Sequence, residues 1–301
     1  MARHNYVSLL GFVNTINIHE NEINPSMSYA MVYVSVARGL RPVGDGRDFM
    51  KCDNVLVMTR TPEQIGIMKG WKEFDIVEIK GMIAAKQIKK ASYCTKCGEK
   101  NSFDGTVVYI QPIALTKRDR RESSEECLEF LKDNREFSNV VFLLGTLCRD
   151  PKKVTVKTGA GMTVTQYQIA INRKYHVRED APEIKSDYPW VKSYGENAAS
   201  DKAYLKVGSE VFVDGCIQAR KVNRHSICLH CAQRYDWTDR ALEIVPYETE
   251  YIANFLTKEE AEAKQAEIAR QAINSVLSKL NGFDDKFSED DVNAGIESEE
   301  L

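Results

Sequence analysis

Two pairs of closely spaced cysteines are the residues of this chain best suited to bind a metal. Cys94 and Cys97 form one Cys-x-x-Cys pair, and Cys228 and Cys231 form the other. Together they supply the four thiolates that tetrahedral zinc prefers in structural sites. The sequence therefore predicts one structural Zn²⁺ held by all four cysteines.

Other arrangements of these cysteines stay open on sequence alone. His225 and His230 flank the second pair, so that pair could bind its own metal, and two chains could share one site. Both pairs could equally be reduced thiols that shape hairpins, because spacing does not show proximity. A thioredoxin-type redox role is disfavoured, since its Cys-x-x-Cys opens a helix whereas these pairs follow long predicted strands.

The cysteine pairs belong to an internal repeat with a constant spacing of 134 residues. Equivalent positions carry the same residue, as in Asn5 and Asn139, Tyr33 and Tyr167, Gly81 and Gly215, and the two cysteine pairs. Because one spacing holds along most of each copy, we interpret the chain as two copies of one small domain. Whatever one copy binds, the pair can bind over twice the length.

Both copies show the pattern of five short strands with a helix between the third and fourth. In the second copy the strands fall at 140–147, 167–171, 190–194, 211–217 and 241–246, and the helix at 196–206. In the first copy they fall at 8–13, 32–36, 55–57, 77–79 and 107–110. This order is typical of the OB-fold, a small barrel that binds oligonucleotides. We predict an all-β dominated chain with two tandem OB-fold five-stranded barrels.

The predicted domains follow from this division. They are a first OB-fold domain at 1–115, a charged helical linker at 116–137, a second OB-fold domain at 138–247, a C-terminal helix at 248–282 and a disordered acidic tail at 283–301. Thr257 and Glu260 have the spacing of a capping box at the start of the C-terminal helix. Gly81 and Gly215 fall within the fourth strands, where a missing side chain indicates a bend or close backbone approach.

The second copy resembles a known family through four segments in order, NVVFLLGTLCRDP, TQYQIAINRKY, YPWVKSYGENA and AYLKVGSEVFVDGCIQARK. These segments, between about residues 139 and 222, resemble the bacterial and phage single-stranded DNA-binding protein family. The resemblance implies an OB-fold whose aromatic side chains stack on bases and whose cations contact phosphates. It places the aromatic set at Tyr175, Tyr188 and Tyr194, and the basic set at Lys206, Arg220 and Lys221. Trp190 fits a core position and a DNA-facing position equally well.

The chain also departs from the family. A further aromatic position of the family is Val222 here, and the Cys-x-x-Cys pairs are not part of the usual pattern. In the first copy, Arg41, Asn54 and Arg60 replace the three tyrosines at the spacing of 134. Arginine can still stack and pair with phosphate. We therefore predict weaker contacts to nucleic acid by the first copy, and the residues assigned to them are Arg41, Arg60, Lys72 and Lys86.

The end of the chain is strongly acidic. Residues 283–301 carry eight acidic side chains against Lys286, while the rest of the chain is mildly basic. Such a tail can merely solubilise the protein, or it can dock on replication and recombination proteins. For the second role Phe283 and Phe287 are the candidate apolar anchors, since an acidic peptide needs apolar groups for specificity.

Composition and motifs together define the predicted function. The 301 residues contain no apolar run long enough to cross a membrane and no recognisable export signal, so we expect a cytoplasmic protein with reduced thiols. No nucleophile–base or paired-carboxylate constellation is evident, so we expect no enzyme. We predict sequence-tolerant binding and protection of single-stranded DNA in replication, recombination and repair, with homodimerisation possible. The alternative is a zinc-stabilised adaptor or recombination mediator whose first OB-fold domain binds proteins.

Overall fold

The elements of the chain follow the predicted order twice. The computed structural model describes residues 4–39, 50–153, 163–173 and 186–284, with side chains given up to residue 278. The first repeat contains β1 (Asn5–His19), β2 (Tyr29–Ala37), β3 (Cys52–Thr59), α1 (Pro62–Lys69), β4 (Asp75–Tyr93) and β5 (Lys100–Arg120). Two short helices follow, α2 (Ser124–Asp133) and α3 (Arg135–Ser138). The second repeat contains β6 (Asn139–Leu147), β7 (Lys152–Lys153), β8 (Val164–Asn172), β9 (Ser186–Asp187), β10 (Trp190–Tyr194), α4 (Gly195–Tyr204), β11 (Glu210–Ile227) and β12 (Arg234–Ala253).

Each repeat closes into a five-stranded barrel. In the first, β1 pairs with β2 and β4, β2 with β3, β4 with β5, and a parallel contact at Val57 and Ile110 closes the ring. In the second, β6, β8, β10, β12 and β11 pair in the same circular order, closed by the parallel contact of Val191 and Ile244. The predicted mostly-β fold is confirmed.

The barrels close because apolar side chains alternate along their strands. Along β2, Val32 and Val34 are fully buried in the core, whereas Met31 and Tyr33 lie partly exposed on the outer face. Gly81 and Gly215 sit at bulges of β4 and β11. A Cβ at either position would lie 2.6 Å from the Gln111 oxygen or 2.4 Å from the Val245 oxygen, so these strands approach too closely for any other residue.

One of the predicted repeat equivalences is wrong. Tyr33 is partly exposed, but Tyr167 is fully buried in the second core. The pairing explains this difference, because Tyr167 lies opposite Val191 whereas Val32 lies opposite the equivalent Val57. Strands β2 and β8, the second strands of the two barrels, are therefore displaced by one residue relative to the constant spacing of 134. A one-residue displacement turns every side chain of a strand to the opposite face.

The two barrels join through their first strands in an arrangement with approximate two-fold symmetry. Strands β1 and β6 pair antiparallel with Val7 opposite Val141, which are equivalent residues of the two repeats. The twelve strands within the described residues consequently belong to connected pairings, and a pseudo-two-fold axis passes near this valine pair. At a two-fold interface each contact recurs with the partners exchanged.

Two buried aspartates show this reciprocity. Asp53 of the first barrel accepts a hydrogen bond of 2.8 Å from the backbone N–H of Ala219, and Asp187 of the second accepts one of 2.8 Å from Ala85. Each aspartate is also paired with an arginine, Asp53 with Arg38 and Asp187 with Arg173. Because both carboxylates are buried, these partners are needed to offset the cost of desolvation.

The described residues from Leu256 onward form a unit separate from the barrels. Its helix α5 spans Lys258–Asp284. The predicted capping box is present: the Thr257 N–H donates to Glu260 at 2.8 Å and the Glu260 N–H donates to the Thr257 hydroxyl at 3.3 Å. Among the described residues, no helix has both the length and the apolar character needed to span a membrane.

Buried asparagines at equivalent places stabilise each barrel and give a first test. Asn5 exchanges two hydrogen bonds of 2.9 Å with the backbone of Ile83, and Asn139 does the same with Ile217. We expect Asn5→Ala to lower the free energy of unfolding by about 2–4 kcal/mol, because it leaves a buried N–H and C=O unsatisfied. Urea unfolding measures this loss. The exposed Asn17, on the same strand, provides a control in Asn17→Ala, and equal losses in both variants would contradict the prediction.

Candidate nucleic-acid interface and cysteine cluster

A cleft of about 1030 Å³ lies between the two barrels and is lined by both. The first barrel contributes the outward positions of two neighbouring strands, Tyr29, Met31 and Tyr33 from β2 and Leu56 and Met58 from β3. These residues alternate with the core valines, so the strand geometry itself turns them toward the cleft. An outer sheet face would ordinarily be polar, and an apolar one indicates a binding surface.

The second barrel contributes its own aromatic groups to the cleft. Tyr188 is 52% exposed just before β10, and Trp190 is half-buried at the start of that strand. The guanidinium of Arg149 lies 5.5 Å from the Trp190 ring centroid and makes a cation–π contact with one face of the ring. A second such contact crosses the cleft, with Arg240 of the second barrel 5.7 Å from the Tyr33 ring of the first.

The cleft also has a basic side formed by the first barrel. Arg60 and Lys86 are exposed there. Partial burial, together with the nearby Arg60 charge, lowers the pKa of Lys86. Because the positive charges of Arg60 and Lys86 repel each other, an anionic group beside them is electrostatically favoured.

The structure places the sequence-predicted residues in three groups. Tyr188, Trp190, Arg60 and Lys86 line the cleft. Five others lie outside its lining, namely Tyr194, Lys206, Arg220, Lys221 and Lys72. Arg220 is 2.7 Å from the buried carboxylate of Glu243, so its charge is already paired. Tyr175 and Arg41 lie outside the described residues.

Sequence reasoning missed the aromatic residues that the first barrel places in the cleft. The constant spacing equates Tyr33 with the buried Tyr167, and it therefore does not reveal the outward face that Tyr33 shares with Tyr29. The pairing instead makes Gln168 the equivalent of Tyr33, and Gln168 also lines the cleft. The signal available in the sequence is the alternation of Tyr29, Met31 and Tyr33 with core residues, because side chains at a period of two lie on one face of a strand.

Two long hairpins extend from the barrels and meet each other at the pseudo-two-fold axis. Strands β4 and β5 form one and β11 and β12 the other. The equivalent residues Phe103 and Trp237 are in contact, with ring centroids 4.4 Å apart. Farther along, Ser92 and Tyr235 share a hydrogen bond of 2.6 Å between their hydroxyls. Contacts between the hairpins therefore bring their tips together.

The four cysteines converge at the hairpin tips, as predicted. Their Sγ atoms all lie within 4.8 Å of one another. The Cys94–Cys231 pair is separated by 3.8 Å and the symmetry-equivalent Cys97–Cys228 pair by 3.6 Å. Four sulfurs at about 2.3 Å from one tetrahedral metal lie about 3.8 Å apart, so these distances fit a single ion. His225 is instead bound to Asp236, and His230 is not part of the cluster.

Equivalent tight turns present the sulfurs. The Gly98 N–H donates to the Cys94 oxygen at 2.9 Å, and the Ala232 N–H donates to the Cys228 oxygen at 3.0 Å. Both turn residues have left-handed backbones, with φ of 78° at Gly98 and 55° at Ala232. A further N–H, from Lys96, points at the Cys94 sulfur at 3.4 Å. Such N–H groups stabilise negative charge on sulfur.

The thiols of the cluster differ in acidity. The backbone N–H of Cys231, helped by the Asn101 amide, lowers the pKa of Cys228 to about 6. The Glu99 N–H favours the thiolate of Cys97 too, but desolvation and the neighbouring sulfurs outweigh it and raise the pKa of Cys97 to about 12. One negative charge in the cluster thus opposes the next, as expected for crowded ionisable groups.

Comparison with known proteins agrees with the barrel fold of the second repeat. Residues 138–228 match the model of the single-strand binding protein family. The match covers the second barrel from β6 to β11. This match confirms the resemblance seen in the second copy, and it includes Tyr188 and Trp190 of the cleft together with Cys228.

Solved structures of a single-stranded DNA-binding protein extend the likeness to most of the chain. A deletion variant of the protein from Thermus aquaticus has a TM-score of 0.52 at 16% identity, with 86% of this chain and 99% of that chain covered. The wild-type Thermus aquaticus protein also has a TM-score of 0.52, at 14% identity, with 86% and 97% covered. At these identities the likeness shows a shared fold across both barrels, including the one that lies outside the single-strand binding protein family match.

Proposed function

We propose that this protein binds single-stranded DNA in the cleft between its barrels, with little dependence on base sequence. The observation that carries the proposal is the joint lining of one cleft by basic groups and at least partly exposed aromatic groups from both barrels. Aromatic rings stack on any base, at about 1–3 kcal/mol each, and cations follow the phosphates. The family match and the printed description of the Thermus protein support the same ligand.

The cleft favours single strands because stacking on a side chain requires an accessible base face. In a duplex both faces are covered by neighbouring bases. Tyr29 and Tyr33 on one wall and Tyr188 and Trp190 on the other would accept bases from a strand that crosses both barrels. We therefore assign DNA contacts to the first barrel as well, through aromatic groups in addition to Arg60 and Lys86. Tyr175, Tyr194, Arg41, Lys72, Lys206, Arg220 and Lys221 remain candidate contacts on the resemblance and charge arguments alone.

Titration with labelled oligo-dT of increasing length tests the function directly. We expect affinity to rise with length until both barrels are occupied and to fall as salt increases, because phosphate contacts release counterions. Fluorescence anisotropy at several salt concentrations measures both effects. Duplex DNA of equal length should bind far more weakly, and equally tight duplex binding would contradict the proposal.

Variants of the cleft test the contribution of each barrel. Tyr188→Ala and Tyr33→Ala should each reduce oligo-dT affinity by about 1–3 kcal/mol while thermal melting stays close to wild type, since both rings are at least partly exposed. Phe137→Ala removes an exposed aromatic residue outside the cleft and should leave affinity unchanged. A loss in Tyr188→Ala without one in Tyr33→Ala would restrict binding to the second barrel.

The cysteine cluster supports a second proposal, a structural Zn²⁺ bound by Cys94, Cys97, Cys228 and Cys231. The support is the fit of four convergent sulfurs to one tetrahedral ion. When bound, the metal would neutralise thiolate charge and cross-link the tips of the two hairpins. Because each hairpin belongs to a different barrel, the metal would also limit how far the barrels can separate.

Metal content gives the corresponding prediction. Untagged protein should contain about one zinc per chain, and Cys94→Ser and Cys228→Ser should each abolish it, because structural sites tolerate ligand loss poorly. Elemental analysis measures the content. Cys148→Ser, outside the cluster, is the matched control and should retain the metal. Two zinc ions per chain would favour separate sites and contradict a shared one.

The acidic tail is proposed to dock on replication and recombination proteins in the cytoplasm. Residues 285–301, including Phe287, lie outside the described residues, and Phe283 lies within α5 with no side chain described. The support for this role is therefore the charge and the two apolar residues in the sequence. Homodimerisation likewise remains a prediction, as does the adaptor or recombination-mediator alternative, which pull-down with and without the tail would address.

Deletion of residues 283–301 tests the tail. We expect a modest gain in single-stranded DNA affinity at low salt, since an acidic peptide competes with phosphate, and the gain should shrink as salt screens the charges. Capture of replication or recombination proteins from a lysate should be lost. Unchanged DNA affinity together with unchanged capture would leave the tail with a solubilising role only.

A further inference from the structure

A three-residue ion cluster lies where the two hairpins cross the pseudo-two-fold axis. Lys90 on β4 and Arg224 on β11 are equivalent residues of the two repeats, and both line the cleft. Between them lies Asp239 of β12, whose carboxylate oxygens are 2.8 and 3.0 Å from the Lys90 ammonium. An Arg224 guanidinium nitrogen is 3.8 Å from the same carboxylate. One anion therefore bridges two symmetry-equivalent cations.

The repeat does not reproduce this anion in the first barrel. The residue equivalent to Asp239 is Gly105, which has no side chain and against which the stem of Lys90 is packed. A Cβ at Gly105 would lie 2.8 Å from the Lys90 Cδ atom. The absence of a side chain thus leaves room for Lys90 to turn toward Asp239. The cluster carries two positive charges for one negative charge.

We propose that Lys90 and Arg224 form a phosphate subsite of the cleft and that Asp239 occupies it in the free protein. This proposal rests on the single-stranded DNA binding proposed above. A carboxylate and a phosphodiester present similar anionic oxygens to an ammonium and a guanidinium. A DNA phosphate would therefore replace the Asp239 carboxylate between the two cations.

The position of the subsite fits a strand that crosses both barrels. Phe103 and Trp237 lie beside the cluster in the same cleft lining, so aromatic contacts are available next to the phosphate. The side chains of Lys90 and Asp239 are only 14% and 13% exposed. In such a partly buried place an ion pair is screened less than on the open surface, and displacing the carboxylate lowers the net gain from binding DNA.

Removal of the carboxylate charge tests the subsite. Asp239→Asn should tighten oligo-dT binding about three- to tenfold, because no carboxylate has to be displaced, and should leave the dependence of log affinity on log salt as in wild type, because the same phosphate is bound in both proteins. Fluorescence anisotropy across a salt series measures both quantities. Asp104→Asn is the matched control, because this carboxylate also lines the cleft but pairs with Lys89 in a largely solvated position. It should change affinity less than Asp239→Asn and leave the slope as in wild type.

The remaining variants separate the possible outcomes. Lys90→Gln in the Asp239→Asn background should abolish the gain, and Lys90→Gln alone should weaken binding and flatten the salt slope. If Asp239→Asn folds poorly, the single Lys90→Gln variant still decides, because a purely structural ion pair leaves the slope unchanged. Wild-type affinity in Asp239→Asn, or weaker binding, would overturn the subsite. Failure of wild-type protein to bind oligo-dT would instead overturn the proposed function.

Discussion

The antiparallel pairing of β1 with β6 is the constraint on which the other contacts between the barrels depend. With Val7 opposite Val141, the pairing relates two barrels by a two-fold axis through equivalent residues. Only this register brings each buried aspartate to the equivalent backbone N–H of the other barrel, Asp53 to Ala219 and Asp187 to Ala85. The same axis makes the hairpins meet tip to tip. The cleft and the cysteine cluster are therefore consequences of one strand pairing.

The barrels themselves could be predicted, because the features that specify their strands lie close together in the sequence. Alternating valines, one helix and the mid-strand glycines Gly81 and Gly215 are sufficient to indicate five-stranded barrels. The repeat then allowed the four cysteines to be matched, and their convergence followed from symmetry. The distances of 3.8 and 3.6 Å between the equivalent sulfur pairs agree with that inference.

The cleft was less predictable because it depends on register and on the relation of the barrels. A displacement of one residue leaves sequence similarity almost unchanged but exchanges buried and exposed faces. Tyr33 and Tyr167 show this effect, since they share a residue type and a spacing but not an environment. Arg220 shows a second effect. Its position matches a basic site of the family, yet Glu243 lies close enough to pair with it, and the sequence contains no local sign of that contact.

Two copies in one chain can diverge independently, whereas a homodimer presents every residue twice. At the axis, a carboxylate in both copies would place two like charges near each other and neutralise the neighbouring cations completely. Here Asp239 faces Lys90 and Arg224 while its counterpart is Gly105, so a single charge lies beside a symmetry axis. This difference gives the cleft a direction: a single strand bound there as proposed, which itself has distinct 5′ and 3′ ends, would meet two halves of the cleft that are chemically different.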